Sequence, residues 1–410
     1  MTALTRPSWA RVDGPLAPYA GGFRVELERL GYTPLTAAAH VRLMAHLSRW
    51  LAAEGLGPSA LTALVVERYF ASRRSAGYAN ERTAAALGPL LGYLRGLGAA
   101  PVAVAASLAT AAGRLLDRYA SYLAAERGLA QTTVALNVRL VRPFLAQRER
   151  QCDGRLDLDQ LTAAEVRAFV VAQSRQRPRS VKRIVSALRS LLGFLHVDGT
   201  IAASLAGAVP SPAGWTLTGL PKALEAGQVA AMLASCDLRT ATGRRDRAIL
   251  LLLARMGLRA GEVAALGLDD VNWRRGEITV CGKRGRRDRL PLPADVGQAI
   301  VAYLRDGRPG GALDRTVFIR AQAPRRALTY LGITEIVSVA AQRAGIPGRV
   351  HAHRLRHSAA TAMLRAGGSL TEIGQTLRHA RPATTAIYAK VDVEALRQLA
   401  RPWPAKAVTA

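Results

Sequence analysis

Cysteine is nearly missing from this 410-residue chain: Cys152, Cys236 and Cys281 are its full complement, widely scattered and never paired as CxxC. An odd, dispersed set argues against a disulfide framework and a zinc ribbon, and fits a reducing compartment. Acidic residues are scarce too, 29 Asp+Glu against 57 Lys+Arg, which leaves a formal net charge of +28. Aromatic residues make up only 5% while alanine, leucine and glycine abound, a composition that leans helical. The stretch AAPVAVAASLATAAG at 99–113 is apolar but too short to cross a bilayer, and MTALTRPSWARVDGP at the start has no apolar signal core. The expectation is a soluble, cytoplasmic protein with no membrane partner.

Half of the residues are hydrophobic, enough to bury sizeable cores in two or three domains. The excess of positive charge favours a polyanionic partner, and nucleic acid is the usual one. Arginine far outnumbers lysine, which suits forked hydrogen bonding to phosphate oxygens.

Two weak points divide the chain. The uncharged, alanine-rich GAAPVAVAASLAT at 98–110 is one, and the Pro- and Gly-rich GAVPSPAGWTLTGLP at 207–221 is the other. The segments before and after the first resemble each other. With Gly31 laid on Gly128, Thr36 meets Thr133 and Val41-Arg42-Leu43 meets Val138-Arg139-Leu140. LTALVVERYF from Leu61 then parallels LTAAEVRAFV from Leu161, and LLGYLRGLG from Leu90 parallels LLGFLHVDG from Leu191. Three blocks in one order read as an internal duplication, each copy a bundle of about four short helices. In the second copy Arg139, Arg142, Arg179, Lys182, Arg183 and Arg189 supply basic helix faces that could track a phosphate backbone.

From about Lys222 the elements are mixed. RRDRAILLLLARMG reads as a helix closed by Gly257. EITVCGKRGRRDRLPLP reads as a β-hairpin, with Ile278 and Val280, then Leu290 and Leu292, alternating around a basic turn that holds Lys283, Arg284, Arg286 and Arg287. Helices resume near Thr334 and Arg354, and SLTEIGQTLRH opens with the capping box Ser369 and Glu372. The class is mainly α with a small β element.

Residues 351–358, HAHRLRHS, pose the chemical question. His353 and His357 stand four apart, the spacing of a helical zinc site. Yet Arg354 and Arg356 lie between them and no carboxylate ligand is near, so a metal-dependent hydrolase built on His351, His353 and His357 competes with an anion site.

In chain order the conspicuous polar residues are Arg259 and Glu262 in MGLRAGEVAAL, Lys283 in the hairpin, His353 and Arg356 in HRLRHSAATAML, then His379 and Tyr388 in LRHARPATTAIYAK. This order, its spacings and the surrounding words resemble the tyrosine recombinase (phage integrase) family, strongly over 222–400 and loosely over 110–205. The resemblance implies a core-binding helical domain (108–207) that contacts DNA; it does not extend over 1–100, which the internal repeat reads as a helical N-terminal domain duplicating that module. A linker (208–221) and a mixed α+β catalytic domain with a C-terminal tail (222–410) follow. It implies a site-specific DNA recombinase or integrase that works without cofactor, ATP or metal. Its partner would be double-stranded DNA at the nucleoid, bound by a homo-oligomer, a dimer on a site and a tetramer in the synapse.

The resemblance also assigns roles. Arg259 and Arg356 would hold the non-bridging oxygens of a phosphate whose charge grows in the transition state. Lys283 would protonate the departing 5′-oxygen, Tyr388 would attack phosphorus, and His353 and His379 would donate hydrogen bonds or move protons, His353 being the candidate base for the phenol. Glu262 would orient Arg259, and His357 would give structural support. The hairpin arginines Arg284, Arg286 and Arg287 would meet DNA. A type IB topoisomerase shares this chemistry, and a DNA-binding regulator without chemistry would lack the tyrosine or an arginine. The additional helical domains favour recognition of a site.

Overall fold

The computed structural model describes residues 9–78, 83–102, 110–178, 180–211, 223–282, 285–310, 312, 314–379 and 384–391. Arg179, Lys283, Arg284, most of the expected linker and the tail beyond 391 lie outside them. The class is as expected, helices with one small sheet. No helix among the described residues is long and apolar enough to cross a membrane.

The chain forms two compact units. One gathers Arg42–Thr216 with Ala10–Ala20, and the other gathers Leu217–Ala410 with Gly21–Val41. Helices α1 (Ala20–Arg29) and α2 (Pro34–Ala53) come first, followed by α3 (Ala63–Ser75) and α4 (Gly88–Gly96). Next come α5 (Ala111–Ala125), α6 (Gln131–Gln151), α7 (Ala163–Gln176) and α8 (Val181–Val197).

The blocks that repeat in sequence repeat in local structure. Gly31 and Gly128 both take left-handed φ, +79° and +59°, ahead of α2 and α6. Thr62 and Thr162 both cap the next helix, accepting the amides of Val65 and Glu165, and Val66 and Val166 are both buried one turn later. Gly98 and Gly199 close α4 and α8 at φ +69° and +74°. The core around α5–α8 includes Tyr119, Leu145, Phe169, Leu188 and Leu192, and each large apolar side chain so buried contributes about 1.5–3 kcal/mol.

In the other unit α9 (Ala226–Ala234) and α10 (Ala241–Arg255) lead. Helix α10 is apolar on most sides, and Ile249, Leu250, Leu252 and Leu253 are at most 1% exposed, as a central helix requires. It closes at Gly257, φ +59°, where a Cβ would stand 2.4 Å from Leu377 Cδ2. Helix α11 (Ala260–Ala264) follows, then the antiparallel strands β1 (Val271–Asn272), β2 (Glu277–Cys281) and β3 (Arg287–Pro291) in the order β1-β2-β3. Ile278 faces Leu290 and Val280 faces Asp288. The sequence showed the β2–β3 hairpin but not β1, whose two residues are too few to carry a period. Helices α12 (Ala294–Asp306), α13 (Tyr330–Arg343), α14 (Ala352–Arg365) and α15 (Leu370–Thr376) complete the unit, and a 3-10 turn (Ala386–Val391) carries Tyr388. The Ser369–Glu372 capping box is formed, with each side chain bonded to the other's backbone amide.

Candidate active site

Four separate stretches of this unit bring their polar side chains into one network. Arg259 is the N-cap of α11, and Glu262 on its first turn reaches back to it: Arg259 N and Nη1 donate to the two Glu262 oxygens at 2.8 and 2.6 Å. Glu262 is 4% exposed, whereas Arg259 keeps 36% of its side chain in solvent. The carboxylate therefore fixes the stem of a cation that still presents itself outward.

Helix α14 carries His353, Arg356 and His357. His351, set among the zinc candidates by its spacing, is the helix N-cap. Arg356 is 2% exposed and donates through Nη1 to Gly257 O and through Nη2 to Leu377 O. These two carbonyls sit at the ends of α10 and α15, so helix termini supply partial negative charge to a buried cation. Burial, then the nearby Arg259, lowers its pKa from 12.5 to about 10, and it stays charged at neutral pH.

Tyr388 is 1% exposed, and its hydroxyl shares a hydrogen bond with His357 Nδ1 at 3.0 Å. Sequence reading gave the proton-acceptor role to His353 and a supporting role to His357. In the folded chain the partner of the phenol is His357. The four-residue spacing does put both imidazoles on one face, with ring centroids 4.3 Å apart and edge to face. His379 stacks parallel to Tyr388, centroids 6.4 Å apart, and its Nδ1 bonds Thr385 Oγ1 at 2.7 Å. Gly374 permits that approach, since a Cβ there would meet Thr385 Oγ1 at 3.0 Å.

Burial and the surrounding positive charge keep these histidines neutral at pH 7. His357 is pushed down to about 4 by desolvation, then by His353 and Arg356. His379 also falls to about 4, through desolvation and then Arg356 and Arg259. His353, exposed by surface area, is lowered by partial desolvation, Arg356 and Arg259. The Tyr388 phenol is raised by burial, against a smaller downward pull from Arg356. Fixed positive charge here is thus arginine, and the imidazoles are neutral. Among the described residues no group of three or more His, Cys, Asp or Glu is placed to hold a metal ion.

One residue of this network escaped the sequence reading. Arg378 occupies φ +56° just after α15, and its side chain, 5% exposed, donates Nη2 to Glu262 Oε2 at 2.6 Å. Its carbonyl accepts Arg259 Nη2 at 3.3 Å. The available signal was an arginine at the position after a short helix where glycine usually stands. Arg378, His379, Thr385, Gly374, Thr371 and Arg286 also line a cleft of about 580 Å³.

Of the residues expected on DNA, Arg139 and Arg142 are exposed on α6, and Lys182 and Arg183 on the first turn of α8. Arg286 and Arg287 are exposed on the hairpin but paired with Asp288 and Asp270 at 2.8 and 3.0 Å, surface contacts that phosphate can displace. Arg189 differs: its guanidinium is tied to Val209 O at 2.7 Å and to Ser211 Oγ, so it joins α8 to the following segment.

Two family models match the chain, one described as the phage integrase family over residues 222–395, the other as the phage integrase N-terminal SAM-like domain over 116–199. A Sinorhizobium fredii protein described as an integrase/recombinase is 40% identical across 99% of this chain and 98% of its own. Tyrosine recombinase XerD of Listeria monocytogenes is 30% identical across 68% of this chain and 94% of its own. Among solved structures, a lambda integrase dimer bound to a COC′ core site aligns at TM-score 0.52 and 17% identity, covering 72% of this chain and 99% of that one. XerH bound to its difH substrate aligns at 0.51 and 18% identity, covering 82% and 95%. At these identities the likeness is one of fold.

Proposed function

The chain belongs to the phage integrase family of tyrosine recombinases, site-specific DNA recombinases, and from that premise we propose that it cuts and rejoins DNA through a 3′-phosphotyrosine on Tyr388, without ATP or metal. The observation that carries this reading is the convergence of Tyr388, His357, Arg356, Arg259 and His379 from four separate stretches of chain.

In the proposed reaction Tyr388 Oη forms a bond to phosphorus as the P–O5′ bond breaks. The phenol proton passes to His357 Nδ1, and the departing 5′-oxygen takes a proton from Lys283, whose position lies outside the described residues. Arg259 and Arg356 bind the non-bridging oxygens, whose charge grows toward the transition state. His353 and His379 donate further hydrogen bonds. Because the phosphotyrosine keeps the phosphodiester's energy, a second 5′-hydroxyl can attack it and rejoin strands.

The histidine and tyrosine shifts constrain the timing. A base near pKa 4 facing a phenol above its usual 10 takes a proton poorly. A bound phosphodiester adds negative charge that offsets the repulsion of His357 by Arg356, the smaller part of a depression set first by desolvation, and so raises the base in part. Proton transfer is therefore tied to phosphate occupancy.

We assign the segments accordingly: 108–207 and 222–410 grip duplex DNA, 208–221 links them, and 1–100 is a duplicate of the 108–207 module that extends the footprint or contacts another subunit. The solved relatives are titled as dimers and tetramers on DNA, and we propose the same assembly here, a dimer on a site and a tetramer in synapsis. The test uses a library of nicked duplexes with randomised sequence, incubated with the protein and separated under denaturing conditions. A protein–DNA adduct on one sequence class is the expected result. An adduct that persists with Tyr388→Phe refutes the nucleophile.

A further inference from the structure

We infer that Arg378 is a positioning residue of the strand-transfer site, coupling the β2–β3 hairpin to Arg259. The inference rests on the recombinase reading and goes beyond it.

The backbone at Arg378 asks for glycine. His379 N bonds Gly374 O and Arg378 N bonds Gln375 O, both at 2.9 Å, which is the glycine-favouring helix stop. An arginine at φ +56° is a strained way to make that turn, so the turn alone gives no reason for this side chain.

The side chain is buried, yet only Nη2 is bonded. Nε and Nη1 are buried without a hydrogen-bond partner. The acceptor within near reach is Asp288 Oδ2 on β3, 3.9 Å from Nε. That is an ion-pair separation and too long for a hydrogen bond, short of one by about 1 Å. Asp288 is held by Arg286, whose Nε donates to its Oδ1 at 2.8 Å.

The result is a line of alternating charge, Arg286–Asp288–Arg378–Glu262–Arg259, running from the exposed hairpin into the site. Arg378 grips Arg259 twice, through Glu262 and through its own carbonyl. When a DNA phosphate takes Arg286, the Asp288 carboxylate is released toward the two open donors of Arg378. Strand β3 is then tied to Arg378, and through Glu262 to Arg259. A buried guanidinium with unmet donors supplies the drive for that tie.

The test is single-turnover cleavage of a nicked duplex, selected as above, by full-length Arg378→Gly, Arg378→Lys, Asp288→Asn and the double variant Asp288→Asn/Arg378→Gly. Arg378→Gly relaxes the turn and removes the side-chain tie to Glu262 and Asp288 while keeping the carbonyl that Arg259 bonds. The saturating cleavage rate should fall roughly tenfold or more, with the DNA concentration for half-maximal rate unchanged. Arg378→Lys, which keeps a cation facing Asp288, should recover part of the rate. Asp288→Asn should slow cleavage similarly, and the double variant should be no slower than Arg378→Gly. Wild-type rates in Arg378→Gly, or losses that multiply in the double variant, overturn the coupling. If Arg378→Gly does not fold, Asp288→Asn on the hairpin surface decides: a wild-type rate overturns the inference and a slowed saturating rate supports it. Absence of any adduct with the unsubstituted protein overturns the recombinase reading instead, so the two failures are told apart.

Discussion

Replacing Arg356 by methionine should destabilise the DNA-free protein no more than replacing it by lysine, although both changes should abolish strand transfer. The guanidinium bonds two carbonyls, Gly257 O and Leu377 O, on buried residues. Methionine leaves both unpaired, each costing about 1–3 kcal/mol. It also removes a buried charge whose depressed pKa, about 10 against 12.5, corresponds to a charging penalty of about 3 kcal/mol. The net change therefore runs from a gain of about 1 to a loss of about 3 kcal/mol. Lysine keeps the charge, can satisfy one carbonyl and orphans the other, for a loss of about 1–3 kcal/mol. Alanine adds a cavity and should lose about 2 kcal/mol more than methionine. Hydrogen exchange of the α14 amides reads the opening free energy of this region without requiring the two units to unfold together. A methionine variant destabilised by more than about 4 kcal/mol, or a lysine variant at wild-type stability, would refute this account of how the cation is held.

Other expectations follow from the same geometry. His357 and His379 have folded pKa values near 4, below the 6.5 of an unfolded chain, so between those limits the unfolded state binds more protons. Stability of this unit should rise from pH 4 to 6.5 and level off above 7, and His357→Gln should flatten part of the slope; a maximum near pH 5 in denaturant titrations would contradict it. Gly257→Ala forces a Cβ against Leu377 at left-handed φ and displaces the carbonyl that anchors Arg356. A loss of about 2 kcal/mol with slowed adduct formation is expected, and an unchanged melting temperature counts against it. Arg139→Ala should weaken DNA binding evenly across sequences and reduce the log–log salt slope by about one; a change in sequence preference would place Arg139 on a base instead.

What the sequence made legible were features set by local chemistry. Ser369 announces a helix start because the capping bond spans three residues, and Gly257 announces a stop because the turn needs positive φ. The alternation of Ile278 and Val280, then of Leu290 and Leu292, could be read because a strand's period is two. The site's membership was visible too, as spaced residue types. Who touches whom was not. That His357 meets the phenol depends on where the 3-10 turn Ala386–Val391 packs against α14, and no pattern within α14 records it. Arg378 was silent because its role arises from a backbone angle and from Glu262 and Asp288, far away in the chain. The strand β1 exists through its partner β2 rather than through its own two residues.

The burial of Tyr388 also bears on how affinities should be read. The proposed nucleophile, 1% exposed and with its hydroxyl held by His357, would be out of reach of the many phosphodiesters a basic protein meets while scanning DNA. Freeing it draws on contact energy with the correct site, so measured affinity understates how well that site fits. Discrimination would then show less in how tightly sequences are held than in how often the tyrosine is let go.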